Sequence, residues 1–470
     1  MTVEGPKTAV PAAAGSPPRP RTAPRRPSGA ASPAPAGAPA AALDVRICRD
    51  PEEFAALAPE WTRLHRSCPQ ATPFQSHAWL HSWWLSYGRP GRLRVVLVRR
   101  GGDGTQGGDG TGTLVGAVAL MRVHRPLPAL VPLGGAVTDY SDVLIDPAAD
   151  AYPDADAPAR SHSASDGRDE SGEGPAADPV GPGNAGSRRD AGNTGNAGSA
   201  GSAGSACGGP VAAALVRGMR RAARGGVVDL REVPADAAAE RVFALWPGPR
   251  RRLADSECLE LPGGPMAGLI ARVGSSRGQR IRGHLRKIDA SGVEERDVPA
   301  AEVPDAIRTI LRLHTAQWAG RGVTPEHVRP RFAEHLGRAG AAMTASGEAL
   351  LTEFRIGGEV VAANLTVLSP TLAGGYLYGA DFAALRAAKV DLNTLLMRHG
   401  ARLTTAADRP VLSMLRGAEP HKAHWRPVPT TNARLLLGTR RALPSLLCRQ
   451  VLAAARSRLR EVRRRARAAT

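Results

Sequence analysis

The sequence predicts an α+β protein built from two tandem halves. Each half is expected to be a mixed, mostly antiparallel sheet flanked by helices. Three observations predict this. Short runs alternate at strand period and are separated by glycine turns, as in Leu350–Ile356, Gly357-Gly358 and Val360–Leu368. Amphipathic segments at helical period lie between those runs. One order of elements, namely strand, two helices, three strands, helix and strand, is read twice, with Thr113–Leu120 and Glu359–Thr366 in equivalent places.

Composition limits how much of the chain folds. Among 470 residues, 53 Gly and 40 Pro concentrate in residues 1–42, 101–112 and about 147–210. Such stretches carry too little apolar surface to offset their chain entropy and are expected to be disordered. The remainder, roughly 350 residues, is enough for two ordinary cores. The net charge of +19 goes with only 4% aromatic residues. No basic run alternates with stacking side chains, so single-stranded nucleic acid is disfavoured as a partner. Cys48, Cys68, Cys207, Cys258 and Cys448 are scattered and form no CxxC. That argues against a disulfide framework or a zinc site and for a reducing compartment, and a cytoplasmic protein is expected. No apolar signal segment is expected at the N-terminus, and Leu114–Met121 is too short to span a bilayer.

Taken in order, Val45–Cys48 reads as a strand. Asp50-Pro51-Glu52-Glu53 then starts a helix with Asp50 as N-cap, whose stripe is Phe54, Leu57, Trp61 and Leu64. Ser76 caps a second helix carrying Trp79, Leu80, Trp83, Trp84 and Tyr87, which reads as core packing or an aromatic pocket. Strands are expected at Arg92–Arg99, Thr113–Met121 and Ala129–Leu133, followed by the polar cluster Thr138–Asp142 leading into a buried strand. A helix at Val211–Arg224 and a strand at Gly226–Leu230 complete the first half.

The second half repeats this with a strand at Val293–Val298, helices at Pro304–Trp318 and Val328–Ala345, and a third strand at Gly374–Ala380. A helix from about Asp391 to Leu403 follows, and then a strand and the polar loop Gly417–Trp425. The predicted units are a leader (1–42), an N-terminal half (43–261), a basic linker helix (262–291), a C-terminal half (292–438) and an Arg-rich tail (439–470). The linker helix, Gly274–Ser291, shows a Ser276-x-x-Gln279 capping box and an Ile281, Leu285, Ile288 seam surrounded by arginines, Arg282 among them. It reads as a solvated basic cover or as a cationic wall facing an anionic ligand. The tail holds ten Arg and one Glu with Leu443, Leu446, Leu447, Val451 and Leu452. It reads as a solvated, partly frayed helix, or as contact with an anionic membrane face or with nucleic acid.

These residues together resemble a family. Pro73-Phe74-Gln75-Ser76 with Trp79-Leu80 and Trp83-Trp84, Asp139-Tyr140-Ser141-Asp142, and Arg280-Ile281-Arg282 with Leu285-Arg286-Lys287 carry the resemblance in the first part. Gly358 with Val360-Val361-Ala362-Ala363, Leu395-Leu396, and Gly417-x-Glu419-Pro420-x-Lys422 with Trp425 continue it. The chain resembles the CelD-like branch of the GNAT N-acyltransferases, linked to cellulose and exopolysaccharide biosynthesis, and more distantly the Fem-type aminoacyl transferases. The resemblance spans residues 43–430. It implies two tandem GNAT-like folds, with acetyl-CoA or another acyl-CoA as co-substrate in the second.

On that resemblance, the acyl donor's pyrophosphate is expected at the start of the helix near Asp391, where free N–H groups and the helix dipole favour an anion. Arg386, Lys389, Asn393, Thr394 and Lys422 are the expected cofactor contacts. Asp391 itself places a carboxylate on the amides a phosphate would use. Amine acylation also needs a base and a donor near the developing negative charge. Glu419 is the expected base, Tyr378 the acid, and Asp381 a further cleft residue. Gln75, Trp79, Asp139, Tyr140 and Arg282 are expected to shape the acceptor pocket. The expected reaction is direct transfer to an amine or hydroxyl of a small molecule, sugar or cell-envelope precursor. The alternative is a catalytically silent scaffold in polysaccharide synthesis. No metal-binding spacing is present.

Overall fold

The computed structural model describes residues 42–101, 112–124, 127–151, 208–318, 324–417, 419 and 421–468. Most of the three stretches expected to be disordered lies outside the described residues. At the edge of the third, Pro147–Asp150 is helical, and buried Asp150 accepts from the Ala212 amide (2.9 Å) and from Arg241 (2.8 Å).

Thirteen strands form among the described residues. They are β1 (Leu43–Cys48), β2 (Leu93–Arg100), β3 (Thr113–Val123), β4 (Ala129–Pro132), β5 (Leu144–Ile145), β6 (Val227–Val233) and β7 (Arg250–Pro262). The second half adds β8 (Glu294–Asp297), β9 (Ala349–Ile356), β10 (Glu359–Leu368), β11 (Leu372–Ala380), β12 (Val411–Arg416) and β13 (Val428–Leu437). The α-helices are α1 (Pro51–Ala56), α2 (Ala58–Ser67), α3 (His77–Tyr87), α4 (Pro147–Asp150), α5 (Pro210–Ala223), α6 (Ala239–Leu245) and α7 (Met266–Ala271). They continue with α8 (Ser275–Ala290), α9 (Val303–Trp318), α10 (Pro330–Ser346), α11 (Phe382–Ala387), α12 (Leu392–Ala406) and α13 (Leu443–Ala468).

The architecture is mixed α+β, but the two expected sheets are joined into one. Its order is β1-β2-β3-β4-β6-β13-β7-β12-β11-β10-β9-β8, with β5 paired to β3. Read inward from either edge, the pattern is the same: three antiparallel steps, one parallel step (β4 to β6, or β11 to β12), then antiparallel steps to the central pair. The joining has a specific cause. β7 follows β6 in the chain yet lies between β12 and β13, and β13 follows β12 yet lies beside β6. Each half therefore completes its sheet with the other half's last strand.

Helices α1–α3, α9 and α10 cover one face over a single core containing Phe54, Trp61, Trp79, Phe332 and Leu336. On the other face, α5 and α6 cover β2, β3, β6 and β13, while α7, α8 and α12 cover the strands around β12. In the aromatic stripe of α3, Trp79, Leu80 and Trp84 pack in the core, while Trp83 and Tyr87 also line a cleft. Ser76 Oγ accepts from the Trp79 amide (3.3 Å), and the Trp79 indole donates to Thr138 Oγ1 (2.8 Å). The expected capping box on α8 is not formed. The helix starts at Ser275, with Gly274 as its cap, so Ser276 already lies inside the first turn.

Two buried polar sites hold the halves together. Asp229 on β6 takes a bidentate pair from Arg434 on β13 (2.7 and 2.7 Å) and a third bond from Arg449 on α13 (2.9 Å), and all three are buried. Removing one member of such a site leaves uncompensated buried charge. Asp229→Ala is therefore expected to cost about 3–5 kcal/mol, read as a lower urea midpoint.

His335 on α10 lies against Trp79 of α3 at 4.6 Å, its Nδ1 3.2 Å from Ser82 Oγ. Burial pushes its pKa down from 6.5 to about 3. The folded ring is harder to protonate than the unfolded one, so the unfolded state binds the extra proton below pH 6.5. Stability is then intact above pH 6.5 and falls as pH drops toward 3. His335 alone contributes a slope of up to about 1.4 kcal/mol per pH unit. Denaturant titrations across that range should show the loss, and His335→Asn should flatten it while lowering stability at pH 7.

Candidate active site

The site begins where two parallel strands part. β11 and β12 pair only over Leu372–Gly374 and Val411–Ser413. Beyond that point β12 slips register against β7 between Ser413 and Arg416, and Leu415 takes a left-handed backbone with φ 54. Such a bulge bends a strand away from its neighbour. Gly374 accommodates the displaced Leu415, since a Cβ there would lie 3.0 Å from the leucine side chain. The parting opens a cleft of about 550 Å³ and ends the β11–β12 pairing at Gly374, so Gly375–Leu377 have no β12 partner in the ladder. Its walls come from α9, the segment leading into α10, the end of α3, the Ala136–Asp139 loop and the 419–422 turn.

Polar groups fix the rim. Arg416 pairs with Asp139 (3.0 Å) and Glu232 (3.0 Å) and donates to the Ala136 carbonyl (2.6 Å), tying the Ala136–Asp139 loop and β6 of the first half to the end of β12. Burial pushes the Asp139 carboxyl up, and the Arg416 charge opposes that shift. Lys422 donates to the carbonyls of Met414 (2.8 Å), Gly417 (3.2 Å) and Arg416 (3.3 Å) and pairs with Glu419 (2.8 Å). Its ammonium holds the bulged strand end.

A histidine pair forms the opposite wall. His314 Nδ1 lies 2.9 Å from the Tyr378 carbonyl, and His327 Nδ1 lies 3.1 Å from His314 Nε2. A carbonyl only accepts, so His314 Nδ1 carries the hydrogen. Burial pushes both rings toward the neutral form, His327 down to about 4 with His314 adding to the shift. In a neutral His314, Nε2 is a lone pair, so His327 Nδ1 must donate to it. His327 Nε2 is then a bare lone pair, and among the described residues it has no hydrogen-bond partner. α9 can place His314 this close because β11 has Gly379 beneath it. A Cβ there would come within 2.3 Å of the Ile310 carbonyl.

Of the residues expected at the site, Glu419, Tyr378, Lys422 and Asp139 line this cleft. Tyr140 lies buried behind Asp139, its hydroxyl donating to Glu260 (2.9 Å) and 3.0 Å from Ser413 Oγ. Gln75 is also buried and donates to the Tyr140 carbonyl (2.7 Å), while Trp79 sits in the core. Asp381 is exposed and caps α11 through the amides of Ala383 (2.8 Å) and Ala384 (3.0 Å). Arg282, Arg386, Lys389, Asn393 and Thr394 belong to α8 and the α11–α12 region, outside the cleft lining. The histidine pair and Arg416 were not anticipated. Each stands alone in its sequence segment, and only α9 and the bulge of β12 bring them to one place. No group of His, Cys, Asp or Glu among the described residues is placed to hold a metal ion.

The start of α12 does not suit a pyrophosphate. Asp391 Oδ1 accepts from the Thr394 amide (2.8 Å) and the Thr394 hydroxyl (2.6 Å), and lies 3.4 Å from His284. A carboxylate already occupies the positive end of the helix.

Residues 275–423 match the acetyltransferase (GNAT) domain family. The match begins at α8 and ends just past the 419–422 turn, so it contains both strands that part. No curated protein matches the chain. Among solved structures, FemX is similar at 9% identity, with 83% of this chain and 98% of that chain covered and a TM-score of 0.49. L-PGS from Bacillus licheniformis is similar at 11% identity, covering 85% and 96%, with a TM-score of 0.43. A tandem GNAT protein from the clavulanic acid biosynthesis pathway is similar at 11%, covering 84% and 98%, with a TM-score of 0.34.

Asp391→Gly removes the carboxylate and keeps a tolerated cap residue. It is expected to strengthen binding of acetyl-CoA or inorganic pyrophosphate roughly two- to tenfold by calorimetry. Weaker binding would show that the cap does not compete with an anion.

Proposed function

We propose that this protein is an acyltransferase acting in the cleft where β11 and β12 part. It would move an acyl group by direct transfer from an activated thioester or ester to an amine or hydroxyl. The observation that carries this reading is the His314–His327 pair lining the cleft beside the stretch of β11 that β12 no longer pairs. The GNAT domain match over residues 275–423 supports the same chemistry.

Three demands of the reaction have counterparts in the cleft. The Gly375–Leu377 stretch of β11, beyond its pairing with β12, would offer backbone N–H groups to the oxygen that becomes negative when the acyl carbon is attacked. As the nucleophile's nitrogen or oxygen bonds to that carbon, its proton passes to His327 Nε2. The electron pair of the breaking bond leaves with the donor's sulfur or oxygen, which is reprotonated from solvent. A base as weak as His327 accepts a proton only from a nucleophile already made acidic by bond formation, so an amine must arrive neutral. Glu419 and Tyr378 face the same space as further proton-handling groups.

The acceptor is proposed to be a small molecule, sugar or cell-envelope precursor, in line with the CelD-like resemblance, with the Arg-rich C-terminus touching an anionic membrane face. Acetyl-CoA is the first donor to test, with its phosphates held elsewhere than at the start of α12. The silent-scaffold reading draws support from one observation, the self-capped helix at Asp391.

A thiol-release assay with acetyl-CoA and a panel of amines and amino sugars tests the proposal. Turnover is expected, and His327→Gln is expected to lower it at least about a hundredfold with the fold intact. Absence of thiol release at millimolar donor across the panel would leave the scaffold as the better account.

A further inference from the structure

The C-terminal helix carries a surface that the body of the protein does not use. α13 is docked on one side only. Leu446 is fully buried, Ala442 just before the helix is buried, and Arg449 reaches Asp229 and, at 2.5 Å, the Leu127 carbonyl. On the opposite side Leu443, Leu447, Val451, Leu459 and Val462 are exposed, from 38% at Leu443 to 67% at Val451. Their spacing of four, four, eight and three residues spreads them over about 160° of the helix surface, centred roughly opposite Leu446 and Arg449 and with Arg458 within the arc. Past Arg449 the helix runs on to Ala468, and of the side chains described there none is buried.

An apolar stripe of this length needs something to bury it. The charge around it restricts what that is. Residues 439–470 contain ten Arg and one Glu, and Arg440, Arg441, Arg456 and Arg458 are exposed. A second copy of the chain would set arginine against arginine. Nucleic acid would meet the arginines and leave the Leu/Val stripe in water. An anionic bilayer satisfies both, with the stripe in the acyl boundary and the guanidinium groups among lipid phosphates. No helix among the described residues is long and apolar enough to cross a membrane, so the contact is in the plane of the surface.

We propose that α13 is an interfacial helix that seats the protein on anionic phospholipid through the Leu443–Leu447–Val451–Leu459–Val462 face. This deepens the membrane-side reading of the acceptor given above, and it is tested without any acyl donor. The full chain is sedimented with phosphatidylglycerol-containing vesicles and with pure phosphatidylcholine vesicles. Partitioning to the anionic vesicles is expected to exceed that to neutral ones at least about tenfold and to weaken in about 0.5 M salt. The double variant Leu447→Asp/Val451→Asp, at two exposed positions, is expected to lose about tenfold or more of that binding with unchanged thermal stability. Arg456→Gln/Arg458→Gln is expected to lower the anionic preference. Equal binding to neutral vesicles, or anionic binding indifferent to the Asp pair, would overturn the proposal. So would binding to duplex DNA in preference to anionic vesicles. Loss of vesicle binding with acyl transfer intact would reject this surface alone. Vesicle binding without acyl transfer would uphold it and reject the catalytic reading.

Discussion

β7 and β13 lie side by side at the middle of the sheet, and each belongs in chain order to the half on the other side. The candidate site depends on this exchange. β12 is held on its far side by β7, and it is against β7 that β12 bulges away from β11. The cleft therefore exists because the strand flanking it comes from the first half. The same exchange brings Glu232 of β6 to Arg416 of β12, and Asp139 of the first half to the same guanidinium. A chain cut between the halves would lose a strand from each sheet and would leave Asp139 and Glu232 without their shared cation.

The approximate twofold relation between the halves makes their differences informative. Both parallel inner strands bend near their ends at a residue with positive φ, Glu232 at 56 and Leu415 at 54. In the first half that bend is filled from the centre, with Asn432 Nδ2 donating to the Asp139 carbonyl (3.0 Å) and lying 3.4 Å from Glu232. In the second half the bend stays open and α9 supplies His314 along its wall. The two halves thus use one backbone device for different ends. In the first it packs a junction, and in the second it opens a cleft.

How much of this was legible in the sequence follows from what each signal reports. The outer strands and long helices were legible because one face of each is apolar at a regular period, as in Val360–Leu368 or in α9. The sheet's centre was not. β7 reads Arg-Arg-Arg-Leu-Ala-Asp-Ser-Glu-Cys-Leu-Glu-Leu-Pro, and its charges find partners across strands, as Asp255 does with Arg231 (2.9 Å). Periodicity weighs apolar side chains and is blind to buried ion pairs. The Glu419–Lys422 turn was readable as a motif, but the consequence of Lys422, three carbonyls held at the end of a bulged strand, is a property of the backbone path. His314 and His327 were invisible for the same reason. Their relation is a tautomer chain that begins at a carbonyl of β11, and no spacing encodes which strand lies under α9.

Asp391 is the residue at which local stability and ligand chemistry meet most directly. As an N-cap it satisfies a backbone donor of α12 and complements the helix dipole, a contribution on the order of 1 kcal/mol. An anionic ligand at the same place would draw on the same donors and the same dipole. The two uses exclude each other electrostatically, so a chain that keeps the carboxylate has to find cations elsewhere for a donor carrying phosphate. α8 lies beside that helix start, with His284 3.4 Å from Asp391, and its Arg280, Arg282, Arg286 and Lys287 are exposed. Guanidinium groups bind phosphate through side chains and make no demand on helix amides. The exposed cations of α8 and the self-capped start of α12 thus lie side by side, one helix presenting side-chain cations and the other an N-terminus already met by its own carboxylate.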